Sequence, residues 1–163
     1  MKILIVDDVP GWIRFHRSNL EYLNIENLEI DTATSAGEAL NKIEVSVDKP
    51  YNAIFTDLQM ESNYLPKLAG EWLIEQIKIF DEYKNTKITI ISASEYIEQI
   101  AKRHKVNYLS KFTARNSDAQ IYRQFIWYLP CRVIYFWLYK YNINLVKEFK
   151  IWIQLFADHK LPH

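Results

Sequence analysis

Residues that can bind phosphate or a metal ion stand where short apolar runs end. Asp7 and Asp8 follow the first run as an acidic pair. A single such residue follows each of three later runs: Asp57, Ser92 and Lys111. Crowded carboxylates repel one another unless a cation lies among them, and their oxygens favour Mg²⁺ or Ca²⁺ over zinc. A carboxylate can also attack phosphorus to give an acyl phosphate. The set therefore predicts Mg²⁺-dependent phosphoryl transfer, with Lys111 neutralising charge and the Ser92 hydroxyl donating to a phosphoryl oxygen.

The first two-thirds of the chain alternates between strand-like and helix-like patterns. Ile3–Val6 is a continuous apolar run, typical of a strand buried on both faces. Apolar residues at helical spacing separate the runs, and Ser35 with Glu38 three residues later has the spacing of a capping box. Five strands alternating with helices predict a parallel α/β sheet, in which the carboxyl ends of the strands converge on one crevice. The strands are expected at residues 3–6, 28–33, 51–56, 87–91 and 106–109.

Length, charge and cysteine content exclude several classes of protein. A chain of 163 residues is long enough for one domain with a short appendage. Its formal net charge is zero, which argues against a chain-wide nucleic-acid surface. Cys131 is the only cysteine, so neither an internal disulfide framework nor a cysteine metal site is expected. The N-terminus shows no secretory signal pattern, so we expect a cytoplasmic protein.

Four short segments, taken in order, resemble a response-regulator receiver domain of two-component signalling. They are residues 3–8, 53–60, 90–93 and 108–111. The resemblance implies a flavodoxin-like fold with strand order 2-1-3-4-5, and we expect the receiver to span residues 1–129. It also implies that Asp57 is the phosphoacceptor, which takes a phosphoryl group from a sensor histidine kinase or a phosphotransfer protein.

The resemblance assigns a role to each remaining site residue. Asp8 matches the direct Mg²⁺ ligand, Asp7 matches the acid that helps through water, and Gln59 stands where the family offers a backbone carbonyl to the metal. Ser92 and Tyr108 match the switch hydroxyl and the switch aromatic. Lys111 matches the active-site lysine of the family.

The sequence also departs from the receiver pattern near the site. Glu61 and Phe112 stand where family members usually carry proline. The loop from Leu58 to Ala69 is longer than is usual, and it could be a lid, a partner-reading loop or a tolerated surface insertion.

The end of the chain differs in composition from the body. Residues 1–112 hold 13 basic and 17 acidic residues, whereas residues 113–163 hold 7 basic and 3 acidic residues. The second segment also holds 12 of the 24 aromatic residues. We expect the last receiver helix at Asp118–Leu129, capped by Ser117 or Asn116 and ended by Pro130. The expected aromatic tail, residues 130–163, has two helical stretches, at 131–142 and 144–158.

Several roles for the tail remain open at this point. The apolar run at residues 125–139 is too short for a membrane-spanning helix, which needs about 20 residues. The apolar area favours a homodimer interface over an intramolecular helical cap or an interfacial membrane helix. The tail is too short for a DNA-binding output module with its own core, so we expect output through a downstream protein target.

Two other classes of function compete with a phosphoaccepting regulator. A phosphatase with an aspartate nucleophile would need a second aspartate two residues later as general acid, and Gln59 occupies that position. A degenerate receiver would act as an interaction scaffold without phosphorylation. The sequence favours a signalling protein whose chemistry is limited to its own phosphorylation and dephosphorylation.

Overall fold

The computed structural model describes residues 1–61, 63 and 67–126, and residues 1–126 form one compact unit. Its centre is a five-stranded parallel sheet in the order β2-β1-β3-β4-β5. The strands are β1 (Lys2–Val6), β2 (Glu29–Ala33), β3 (Ala53–Thr56), β4 (Lys87–Ser92) and β5 (Asn107–Ser110). This confirms the predicted flavodoxin-like fold and its strand order.

In the described part of the chain four α-helices connect successive strands, and two more follow β5. They are α1 (Pro10–Tyr22), α2 (Ala36–Val45), α3 (Ala69–Ile77), α4 (Ile97–His104), α5 (Lys111–Asn116) and α6 (Arg123–Ile126), with 3₁₀ turns at Asp81–Tyr83 and Ala119–Tyr122. Pro10 at the first position of α1 suits a helix start, because the missing amide would have no intrahelical acceptor. Ser35 caps α2 as predicted, with its Oγ accepting from the Glu38 amide at 3.1 Å.

The core has two halves, one on each face of the sheet. Successive side chains of a strand point to opposite faces, so Leu4 and Val6 pack with α2, α3 and α4, whereas Ile3 and Ile5 pack on the other side with α1 and the segment after α5. All four side chains are essentially inaccessible to solvent. This double burial is why β1 is a continuous apolar run, and it holds the end of β1 firmly in place.

The chain after β5 differs from the single helix expected at Asp118–Leu129. Ser110 accepts from the Thr113 amide at 2.9 Å, so α5 begins directly at Lys111 and ends at Asn116. The backbone is then extended at Ser117, which ends α5 and is not the residue whose side chain caps the next turn. Asp118 is the cap instead, because its Oδ1 accepts from the Gln120 amide at 2.9 Å.

The remaining tail predictions lie outside the described residues. These are the end of the expected helix at Leu129, the helical stretches at 131–142 and 144–158, and the homodimer interface. Three residues of the long loop, Tyr64, Leu65 and Pro66, also lie outside them. Among the helices that are described, none has the length and apolarity needed to cross a bilayer.

Gly70 lets the start of α3 approach the backbone after β3. A Cβ at this position would lie 1.9 Å from the Asp57 carbonyl oxygen and 2.9 Å from the Leu58 Cα. The Gly70 amide donates to the Leu58 carbonyl at 3.2 Å, which ties the two segments together. The helix start therefore fixes the path of the chain directly after Asp57, and only glycine fits without a shift of backbone.

We expect Gly70→Ala to lower the free energy of unfolding by about 1–3 kcal/mol, because backbone atoms cannot give way as flexible side chains do. Gly11→Ala is the matched control. Its Cβ would meet only Val9 Cγ1, at 4.0 Å, and alanine favours a helix over glycine by about 0.5–1 kcal/mol. Urea unfolding of both variants checks this, and a Gly70→Ala protein as stable as wild type would contradict it.

Candidate functional site

Three carboxylates meet at the carboxyl edge of the sheet. Asp7 follows β1 and Asp57 follows β3, the neighbouring strand. The Asp57 amide donates to the Val6 carbonyl at 2.9 Å, which continues the strand pairing up to the site. Asp7 and Asp57 are buried, whereas Asp8 is exposed. One oxygen from each of the three carboxylates lies within 4.8 Å of the others.

Lys111 brings a positive charge into this acidic edge from β5, two strands away from β3. Its Nζ lies 2.6 Å from Asp57 Oδ2 and 2.7 Å from Asp7 Oδ2. The lysine side chain is itself buried. Buried charges are tolerated when they are paired and hydrogen-bonded, and here one ammonium serves two buried carboxylates. The structure thus brings together four residues predicted from the sequence: Asp7, Asp8, Asp57 and Lys111.

The pKa shifts at this edge follow from burial and from the Lys111 contacts. Burial raises the pKa of Asp7 above 3.8, although the Lys111 ammonium and the Val9 amide oppose the change. Burial acts to lower the pKa of Lys111, but its hydrogen bonds to Asp57 and Asp7 outweigh burial and raise it. The lysine is therefore held in its charged form, while Asp7 remains incompletely compensated. A further cation at this edge would remove the imbalance.

The donor set fits a hard divalent cation. The group contains carboxylate oxygens and neither histidine nor cysteine, which suits Mg²⁺ or Ca²⁺ better than zinc. Asp57 is also held in one orientation, because its Oδ1 accepts from the Leu58 amide at 2.6 Å and faces the Gln59 amide at 3.4 Å. Such fixed carboxylates need little reorganisation to bind a cation or to react.

The other predicted site residues lie around this centre. Ser92 ends β4 and is buried, and its Oγ faces the Ser94 amide at 3.4 Å. Tyr108 pairs in register with Ile90, two residues before Ser92, and its side chain is 42% exposed. Gln59 is exposed on the loop after β3.

A stack of rings on α1 forms the wall beside Lys111. The Trp12 ring centroid lies 5.2 Å from Lys111 Nζ, and the ring stacks on His16 at 5.5 Å with an angle of 18° between the planes. His16 Nδ1 in turn lies 2.5 Å from the Tyr122 hydroxyl. Sequence reasoning missed His16, although its spacing of four residues from Trp12 placed both on one helix face. The wall connects the site to the segment that leads into the tail.

His16 is fully inside this wall, with 1% of its surface exposed. The pKa of His16 is lowered from 6.5 to about 4, mainly by burial and in smaller part by the Lys111 ammonium, while Asp57 opposes the shift. Its Nε2 is buried and makes no hydrogen bond within the part of the chain that the structure describes. The imidazole is therefore neutral at physiological pH, and its protonation would place an unpaired charge in the core.

We expect the protein to lose stability as the pH falls from 6.5 towards 4, because the unfolded chain binds the His16 proton more readily than the folded one. The difference between 6.5 and about 4 corresponds to about 3 kcal/mol of unfolding free energy. His16→Gln should remove this component, and Tyr122→Phe should keep it. Urea unfolding across this pH window checks the prediction, and parallel curves for His16→Gln and wild type would contradict it.

Comparison with solved structures finds relatives of this fold. The chemotaxis response regulator CheY4 of Vibrio cholerae is 24% identical with a TM-score of 0.54, over 71% of this chain and 92% of that one. A Francisella response-regulator receiver domain is 26% identical with a TM-score of 0.51, over 68% of this chain and 83% of that one. A CheY-like receiver domain protein of Methanospirillum hungatei is 21% identical with a TM-score of 0.52, over 71% of this chain and 85% of that one.

No protein-family model and no curated protein matches the sequence. The likeness therefore lies in the three-dimensional arrangement, and it confirms at the level of the fold the resemblance carried by the four short segments. It covers the sheet and the helices around it.

Proposed function

Because the described chain has the fold of response-regulator receiver domains, we propose that it is a phosphoaccepting signalling protein. Asp57 takes the phosphoryl group from a phosphohistidine of a sensor histidine kinase or a phosphotransfer protein. The observation that carries this proposal is the buried contact of Lys111 Nζ with both Asp57 and Asp7 beside a third carboxylate. A purely structural sheet edge has no need for so much buried charge.

In the proposed reaction an Asp57 oxygen attacks phosphorus and forms an acyl phosphate. The phosphorus–nitrogen bond of the phosphohistidine breaks, and its electron pair stays on the imidazole of the partner. Asp7, Asp8 and Asp57, with the backbone carbonyl of Gln59, would hold Mg²⁺, which would supply charge neutralisation on the phosphoryl oxygens. Lys111 neutralises charge from the other side, and the Leu58 amide keeps the carboxylate oriented.

Signal output would use the neighbouring strands. The dianion on Asp57 would attract the Ser92 hydroxyl, and its movement would make space for the Tyr108 ring, which is now 42% exposed. A downstream protein would read the changed surface.

We place the protein in the cytoplasm and assign homodimerisation to the tail, residues 130–163. Support for the role of the tail comes from its apolar, aromatic sequence alone.

We expect acetyl phosphate with Mg²⁺ to phosphorylate the wild-type protein and to leave Asp57→Asn unmodified, because the amide is a poor nucleophile. Asp48→Asn, which changes an exposed aspartate away from the site, is the matched control and should react like wild type. Mass spectrometry of the intact chain checks this. Equal modification of wild type and Asp57→Asn would refute Asp57 as the acceptor, and no modification of either would favour the scaffold function.

We expect Mg²⁺ to stabilise the wild-type protein by about 1.4 kcal/mol at ten times its dissociation constant, because it binds the folded state. Asp8→Asn should reduce this gain without harming the fold, since Asp8 is exposed. Thermal unfolding with and without Mg²⁺ checks the prediction, with Asp48→Asn again as control. A wild-type melting temperature that does not respond to Mg²⁺ would count against the metal site.

A further inference from the structure

Glu61 reaches from the loop after β3 to the amino end of α2. Its Oε1 accepts from the Ala36 amide at 2.7 Å and faces the Gly37 amide at 3.4 Å. Resting on the proposed function, we propose that Glu61 is a positioning residue of the metal site: it anchors the loop that presents the Gln59 carbonyl to Mg²⁺. This anchor departs from the receiver pattern, which has proline at this position and thus no side-chain acceptor.

The amino end of α2 is a strong attachment point for a carboxylate. The first amides of a helix have no intrahelical acceptor, and the helix dipole makes this end positive. Ser35 serves the Glu38 amide from within the same segment. The Ala36 amide donates to Glu61, which lies 25 residues away in the chain, and the Gly37 amide faces the same oxygen at 3.4 Å. One helix end thus carries a local cap and a long-range tie to the site loop.

The loop is held on both sides of Gln59. On one side the Asp57 amide donates to β1, and on the other side Glu61 contacts α2. Gln59 itself is exposed, and its amide lies 3.4 Å from Asp57 Oδ1, beyond the usual hydrogen-bond range of about 2.7–3.2 Å. The Gly70 amide also holds the Leu58 carbonyl, so the position of Gln59 depends on contacts on both sides of it. Loss of the Glu61 contact would loosen the side of the loop that neither the sheet nor Gly70 holds.

The second oxygen of Glu61 shows that the carboxylate is held at α2 and does not simply extend into solvent. Oε2 is buried and makes no hydrogen bond to any described residue. The carboxylate therefore carries a burial cost that its Oε1 contacts must offset. Because Oε1 alone makes the contacts, glutamine can keep the anchor while removing the charge, which separates the two effects.

The test measures Mg²⁺ affinity of the full chain by calorimetry. We expect Glu61→Ala to weaken Mg²⁺ binding about tenfold, as loss of a partner that orients a metal ligand does. Glu61→Gln should bind like wild type, since its amide oxygen accepts the same bonds. Ser35→Ala is the matched control: it removes the local cap of the same helix and lowers the melting temperature, but it should leave Mg²⁺ affinity unchanged.

Three results would overturn the role of Glu61. The first is a Mg²⁺ affinity of Glu61→Ala equal to that of wild type. The second is an equal loss of affinity in Glu61→Gln, which would assign the effect to charge. The third is an equal loss of affinity in Ser35→Ala, which would assign the effect to helix stability. Amide hydrogen exchange of the metal-free chain separates this inference from the proposed function. Glu61→Ala should speed exchange at Leu58 and Gln59, and unchanged exchange overturns the anchor. A wild-type protein that binds no Mg²⁺ overturns the proposed function instead.

Discussion

The Lys111 ammonium lies within 2.7 Å of both Asp7 and Asp57, and all three side chains are buried. Taking these charges out of water costs several kcal/mol each, so the cluster persists only if its geometry is kept tight. The contact joins the ends of β1, β3 and β5, which come from distant parts of the chain. The sheet, the helix start at Gly70 and the ring wall on α1 all serve to hold these three ends in register.

The cluster of charges also sets this edge apart from the apolar rest of the sheet. Ile3–Val6 is buried on both faces and gives the carboxylates a rigid base. The pKa of Asp7 is raised chiefly because its carboxylate is buried, although the Lys111 ammonium opposes the shift. An edge that suits an added cation and holds the Asp57 carboxylate in one orientation supports the proposed phosphoryl site. The neutral, buried His16 adds no charge of its own, so Lys111 is the positive charge that pairs with the two buried carboxylates.

Much of the fold was predictable from local patterns. The continuous run of β1, the capping spacing of Ser35 and the apolar spacing of the helices depend on neighbours a few residues apart. The chain after β5 was not predictable in the same way. There Ser110 starts a helix at Lys111 and Asp118 starts a separate turn, and the choice among several adjacent polar caps depends on how α5 packs on the sheet.

Local patterns in the sequence show which side chains stand at the strand ends, because strand periodicity and apolar runs depend on near neighbours. They also give the charge types, three carboxylates and one lysine, that define the chemistry of the edge. The contacts of Lys111 with Asp7 and Asp57, the enclosure of His16 beside them and the reach of Glu61 to α2 arise only in the folded chain. Those contacts join residues far apart in the chain, and their distances depend on the packing of whole elements, which no local pattern encodes.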